Sequence, residues 1–378
     1  MNRLPVRVVL LVAALGALAL FVSACGSSDD ETTAGATAMR FKITDAGCDP
    51  HDAKASAGPI TFDVEGASSS VTELEVLDGE TILGEKENLT EGLSGSFSLT
   101  LEEGEYILRC NGGSEEDGTL TVSGKLKTAD SPEVETAISD YRDYLEKNTA
   151  ELTTATKPFV AAVVGGNVVL AKKLYPAARI PYERIEPVAE SFGDLDPRID
   201  ARENDVPASE WGGFHKIEKA LWEEGTAKGM APVAEQLLAD VEELEAKVKN
   251  VNLQAVQIAN GANELLGEVS ASKITGEEER YSHIDLVDFK ANVEGSQVAF
   301  ESVEPLLSKS DPALAKEIEA DFDTVYATLK PYETAGDPGF VLYTELTKAD
   351  TRKLAQSIDT LAEKLSQVPA AIVTGEAS

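Results

Sequence analysis

"SPEVETAISDYRDYLEKNTAEL", residues 131–152, is where the texture of this 378-residue chain changes. Ahead of it apolar residues recur at every second position; through it and beyond they recur at every third or fourth. Ser131 stands at an N-cap position, Pro132 at the first helical position and Glu133 in the first turn, which together signal a helix start. An all-β first half followed by an all-α second half is the expectation, with residues 125–131 as the linker.

Upstream, "PITFDVEG" (59–66) alternates Ile60, Phe62 and Val64, "FSLTL" (97–101) alternates Phe97, Leu99 and Leu101, and "YILRC" (106–110) alternates Tyr106, Leu108 and Cys110. Such runs, parted by "DGE", "EGLSG" and "EEGE", predict a small antiparallel sandwich over 40–124. Downstream, helical periods run over 231–249, 283–307, 311–330 and 343–366, with breaks at "EGTAKGMAP" and "YETAGDPGF". A bundle of antiparallel helices over 132–378 follows.

The first residues bear on compartment. Arg3 and Arg7 precede an apolar run from Val8 to Val22, then Ser23, Ala24 and Cys25. The core of about 15 residues is short for a membrane span, which needs ~20, and the whole has the form of an export signal, residues 1–24. "VSACGSS" resembles the bacterial lipoprotein box, which implies lipidation of Cys25 and attachment to the cell membrane, facing the periplasm or cell exterior. Residues 25–39 then form a flexible tether.

The 67 acidic residues against 33 basic ones give a net charge of −34, and removal of the leader takes away two arginines and no acid. Nucleic acid is excluded as a partner, because its phosphates need Lys and Arg. Cations are concentrated near such a surface.

Four segments carry candidate chemistry. "PYERIEP" sets Glu183 and Glu186 three apart before Pro187, which should bend or start a helix. "FGDLDPRID" supplies Asp194, Asp196 and Asp200 in a loop. "GFHKIEKALW" (213–222) holds His215 and Glu218, neighbours on a helix surface. "GEEERYSHIDLVDF" (276–289) supplies His283, Asp285 and Asp288. On spacing alone the His215–Glu218 pair is first a structural ion pair and second a pair of metal ligands.

The β half, ending in "GEYILRC", looks like a cupredoxin, but a blue-copper centre wants two histidines and an axial methionine. Only His51 and Met39 are present there, and "NGGSEED" follows Cys110. Two readings remain. Cys48 and Cys110 form a disulfide, as two cysteines in an exported chain usually do; or Cys110, with Cys48 and Glu73 or Glu75, holds a metal ion.

"YPAARIPYERIEPVAESFGDLDPRIDARE", "WGGFHKIEKALW" and "KITGEEERYSHIDLVDFKANVEG" resemble the imelysin family, in particular its EfeO type, in which a cupredoxin-like domain precedes an imelysin-like helical one. The resemblance implies an iron-binding lipoprotein of an EfeUOB-type uptake system that captures iron (Fe2+ or Fe3+) and passes it to an EfeU-type permease, with an EfeB-type haem peroxidase as further partner. It implies a metal site at His215 and Glu218, completed by Glu183, Glu186 and Asp196, with His283 as a further participant. The donor set suits iron, manganese or zinc better than copper(I); iron is the expected ion, and zinc or copper are the further candidates. The alternative is a zinc-dependent metallopeptidase. A zincin needs H-E-x-x-H and an inverzincin a histidine at 219, where Lys219 stands, so a non-enzymatic binding protein is the expectation.

Overall fold

The computed structural model describes residues 37–376, apart from 80, 112, 113, 115, 116, 126–130 and 337. The export signal, Cys25 and most of the tether and linker lie outside the described residues. The last tether positions do not: β1 already begins at Thr37.

Nine strands make the sandwich: β1 (Thr37–Ile43), β2 (Cys48–Asp49), β3 (Ala53–Ser56), β4 (Gly58–Gly66), β5 (Thr72–Asp78), β6 (Thr81–Leu89), β7 (Ser94–Leu101), β8 (Gly104–Asn111) and β9 (Gly118–Ser123). One sheet runs β2-β1-β4-β7 and the other β3-β9-β8-β5-β6. The sheets are mixed rather than antiparallel throughout, since β1 pairs with β4 and β3 with β9 in parallel. Period-two alternation fixes which face is buried but not strand direction.

Alternate residues fill the space between the sheets: Ile60, Phe62 and Val64 from β4, Phe97 and Leu99 from β7, Leu74 and Val76 from β5, and Leu108 from β8. Phe62 stacks on Phe97 with centroids 4.8 Å apart. Cys48 and Cys110 are joined in a disulfide, 62 positions apart in sequence. In that state neither sulfur offers a thiolate to a metal, and Glu73 instead accepts a hydrogen bond from the Asn111 amide.

The helical half contains α1 (Pro132–Val164), α2 (Val168–Glu183), α3 (Leu195–Asp200), α4 (Gly213–Trp222), α5 (Ala231–Val248), α6 (Ala255–Ala271), α7 (Asp285–Ser310), α8 (Pro312–Leu329), α9 (Lys348–Leu365) and α10 (Val368–Glu376). Ser131 occupies the N-cap position of α1, but its hydroxyl donates to Glu133 (2.7 Å) rather than accepting a backbone N–H. At Pro187 the chain does break, with a 3-10 turn over Glu186–Phe192 following α2. The segment expected as a loop around Asp196 is helical as α3, and the last long period begins with a separate 3-10 turn, Tyr343–Glu345, before α9.

The two halves meet along α6. β7 is a sheet edge, and its open backbone groups find side-chain partners there. Asn260 Nδ2 donates to the Ser98 carbonyl (2.7 Å), the Thr100 N–H donates to Gln254 Oε1 (3.3 Å), and Lys86 pairs with Glu264 (2.6 Å). On its other side α6 lies so close to the 3-10 turn that a Cβ at Gly261 would sit 1.6 Å from the Pro187 carbonyl oxygen. Between the halves lies a cleft of about 1500 Å³ whose lining includes fourteen acidic residues.

A Cys48→Ala/Cys110→Ala variant should lose about 4 kcal/mol of sandwich stability, the chain-entropy value for a loop of this length. Denaturant unfolding of the full chain, together with thiol counting on the unreduced, unfolded protein, checks this; two free thiols at these positions would contradict the bridge.

Candidate metal centre

α4 owes its position to its first residue. Gly213 has φ +65°, and a Cβ there would lie 2.1 Å from the Ile199 carbonyl oxygen, so only glycine lets the start of α4 rest on the end of α3. That contact sets His215, on the third position of α4, beside Asp200, the last residue of α3. Phe214, Ile217 and Leu221 are fully buried and hold the helix in place, with Phe214 stacked on Phe159. His215 and Glu218 share this buried face.

Both imidazole nitrogens face carboxylates. Nδ1 lies 3.3 Å from Glu218 Oε2, and Nε2 lies 3.2 Å from Glu278 Oε1 and 3.4 Å from Asp200 Oδ1. Two overlapping sets have ligand atoms close enough to share one ion: Asp200, His215 and Glu278, and His215, Glu218 and Glu279. Glu278 and Glu279 come from the segment between α6 and α7. That segment is anchored by the Tyr281 and Ser282 N–H groups, which donate to Glu218 Oε1 (2.9 and 2.7 Å), and by the Glu279 N–H, which donates to Asp285 (3.1 Å).

The charges around this centre are balanced from within. Arg179 of α2 is wholly buried and ion-paired with Glu183, Asp200, Glu278, Glu279 and Asp288. Lys273 does the same for Glu183, Glu186 and Glu278. Burial works against ionisation of Glu278, but Lys273, His215 and Arg202 hold its carboxyl well below the ordinary range. Burial likewise opposes Glu218, and its bonds from His215, Ser282 and Tyr281 win, lowering it. Burial and Arg179 depress His215, yet the Glu218 and Glu278 hydrogen bonds outweigh them and raise it. The carboxylates thus favour the protonated ring, and a metal ion would have to displace a proton. Glu279 and Asp288 are pushed the other way by burial and by neighbouring carboxylates, Asp288 to about 8.

Against the sequence expectation, only His215 and Glu218 lie at the centre. Glu183 is paired with Arg179 and accepts from Asn292 (2.9 Å); Glu186 pairs with Lys273; Asp196 accepts from the Tyr182 hydroxyl. None of these three belongs to a set whose ligand atoms lie close enough to share an ion with His215. His283 belongs to neither ligand set. Its φ of +59° turns the chain, and its carbonyl accepts from the Tyr343 N–H (2.8 Å). Beside Glu218, the carboxylates whose oxygens lie close enough to share an ion with His215 are instead Asp200, Glu278 and Glu279. The last two stand in "GEEER", whose three successive acids at a helix break were the available signal.

Fold and centre define a class: a two-domain chain whose helical half carries a buried imidazole–carboxylate site opening onto an acidic cleft. Residues 137–368 match the imelysin family and residues 12–122 the cupredoxin-like domain. The iron uptake system component EfeO of Escherichia coli strain K12 is 39% identical over 340 residues, 87% of this chain and 90% of that protein, and EfeO of Shigella flexneri matches equally. A crystal structure of a precursor protein from Parabacteroides distasonis ATCC 8503 shares the fold at TM-score 0.51 and 15% identity, covering 66% of this chain and 98% of that one. The chain belongs to the imelysin family, in the arrangement with a cupredoxin-like domain in front. Among the described residues no helix is long and apolar enough to cross a membrane.

Two outcomes test the electrostatics. Arg179→Met should destabilise the helical half by roughly 3–5 kcal/mol, since it strands buried carboxylates without their cation; an unchanged denaturation midpoint would contradict this. His215, Asp288, Glu279 and Glu75 all bind protons more tightly folded than unfolded. Stability of the metal-free chain should therefore fall as pH rises from about 5 to about 8, whereas Glu218 and Glu278 act in the opposite sense only in the more acidic carboxylate range. Melting curves across that window should show roughly 2–4 °C for each kcal/mol lost.

Proposed function

We propose that this chain is the iron-capturing component of an EfeUOB-type uptake system, exported and lipid-anchored through Cys25, and that it passes iron to an EfeU-type permease alongside an EfeB-type haem peroxidase. The observation that carries the reading is the histidine whose two nitrogens each lie within 3.4 Å of carboxylates from separate elements. Carboxylate oxygens with one imidazole suit iron, with zinc or manganese next, and give copper(I) no soft donor. Iron is the cargo rather than a resident cofactor. The similarity to the EfeO proteins supports the same assignment.

Capture and release follow from the local charges. The proton on His215 and the ammonium of Lys273 balance the carboxylates before an ion arrives, so binding exchanges positive charge instead of adding it to an empty anionic hole. That exchange moderates affinity, as suits a carrier that must hand its ion on. The peptidase reading finds little in the arrangement: Lys219 stands where a second histidine would be needed, and its ammonium pairs with Glu203 (2.5 Å).

His215→Ala in the full chain should weaken iron binding at this centre by at least about 100-fold while leaving helicity unchanged, a loss at the upper end of that seen for metal-site partners. Affinity of the parent should fall as pH drops through the titration of His215, centred above the ordinary 6.5 because the fold raises it. Titration with ferric citrate, scored by metal analysis after desalting, reads both. Parent-like binding by the variant would make the pair structural, and cleavage of denatured casein by the metal-loaded chain would revive the peptidase reading.

A further inference from the structure

The segment between α6 and α7 brings Glu278 and Glu279 to His215, and one residue far along the chain holds both of its ends. Tyr343 opens the 3-10 turn ahead of α9. Its phenol donates to the Ile274 carbonyl, and its backbone N–H donates to the His283 carbonyl (2.8 Å). Everything the segment gives the centre lies between those two carbonyls: the Glu278 and Glu279 carboxylates, and the Tyr281 and Ser282 N–H groups that bond Glu218.

The fit leaves little slack at either end. Gly276 has φ +82°, and a Cβ there would lie 2.5 Å from a carbon of the Tyr343 ring, so the ring rests on bare backbone. His283 has φ +59°, a conformation that a residue with a side chain keeps only where its surroundings impose it. The turn that carries Tyr343 is made locally. Glu345 accepts the Leu342 N–H (3.1 Å), and the Leu346 N–H donates to the Tyr343 carbonyl (3.0 Å). Leu342, Thr344 and Glu345 are exposed, while Tyr343 is half-buried.

We propose that Tyr343 is a positioning residue for the His215 centre: by fixing both ends of residues 274–283 it keeps Glu278 and Glu279 against the imidazole, and so sets how fast a bound ion is released. The proposal rests on the reading of His215 as an iron ligand. Partners that hold metal ligands in place typically contribute about 10- to 100-fold to affinity, and one acting through a segment belongs at the lower end. The cleft, which Glu278 lines, stays open to an arriving ion, so the effect should fall on dissociation.

The test loads the full chain with iron from ferric citrate and chases it with excess desferrioxamine. Tyr343→Phe keeps the ring on Gly276 and deletes its hydroxyl. It should release iron roughly 10-fold faster than the parent, with a matching rise in Kd. Tyr332→Phe is the control, because the Tyr332 phenol lies in the same stretch between α8 and α9 but bonds Asp350 (2.8 Å) instead of the segment. It should release iron at the parent's rate, whatever it costs in stability. Parent-like release from Tyr343→Phe, or equal acceleration in both variants, would overturn the clamp. His215→Ala separates this outcome from the reading beneath it. If that variant holds iron as the parent does, the His215 reading fails and takes the clamp with it; if it loses iron while Tyr343→Phe releases at the parent's rate, the clamp alone falls.

Discussion

The guanidinium of Arg179 is the constraint on which the helical half depends. Five carboxylates from α2, α3, α7 and the segment before α7 converge on one fully buried cation. Its charge offsets part of the cost of burying them, a cost that removal of the cation would leave uncompensated. Phe214 lies against the guanidinium face at 5.4 Å, so the same group also fixes the helix that carries His215. Packing and site chemistry are therefore one arrangement. The centre is kept in shape by positive charge that the protein itself supplies.

Much of the architecture was legible in the sequence because it rests on periodicity. The change at Ser131, the alternation in β4, β7 and β8, and the break at Pro187 follow from local rules that tertiary contacts did not override. Strand direction was not legible, since β1 and β4 pair in parallel across a long intervening segment. The His215–Glu218 pair was legible through helical spacing. The other carboxylates around it were not, because Asp200, Glu278 and Glu279 reach it from elements whose approach is set by Gly213 and by the anchored turn before α7.

The residues expected as ligands but displaced from the centre are informative in their own way. Glu183, Glu186 and Asp196 lie outside both ligand sets, tied to Arg179, Lys273 and Tyr182. A linear sequence shows acids readily, but not which acids already have a cation. Arg179 sits in α2 with Glu183 four positions on, and Lys273 just after α6, but their other partners are distant in sequence.

The side-chain hydrogen bonds from α6 to the edge of β7 carry a consequence for the chain as a mechanical object. Asn260 and Gln254 do for this strand what another strand would do, and with a fixed register, since each recognises a particular backbone group. A sandwich severed from its helices at 125–131 would present β7 as a naked template for self-association. The helices thus act as an intramolecular chaperone for the sandwich, and the two domains have reason to travel as one chain.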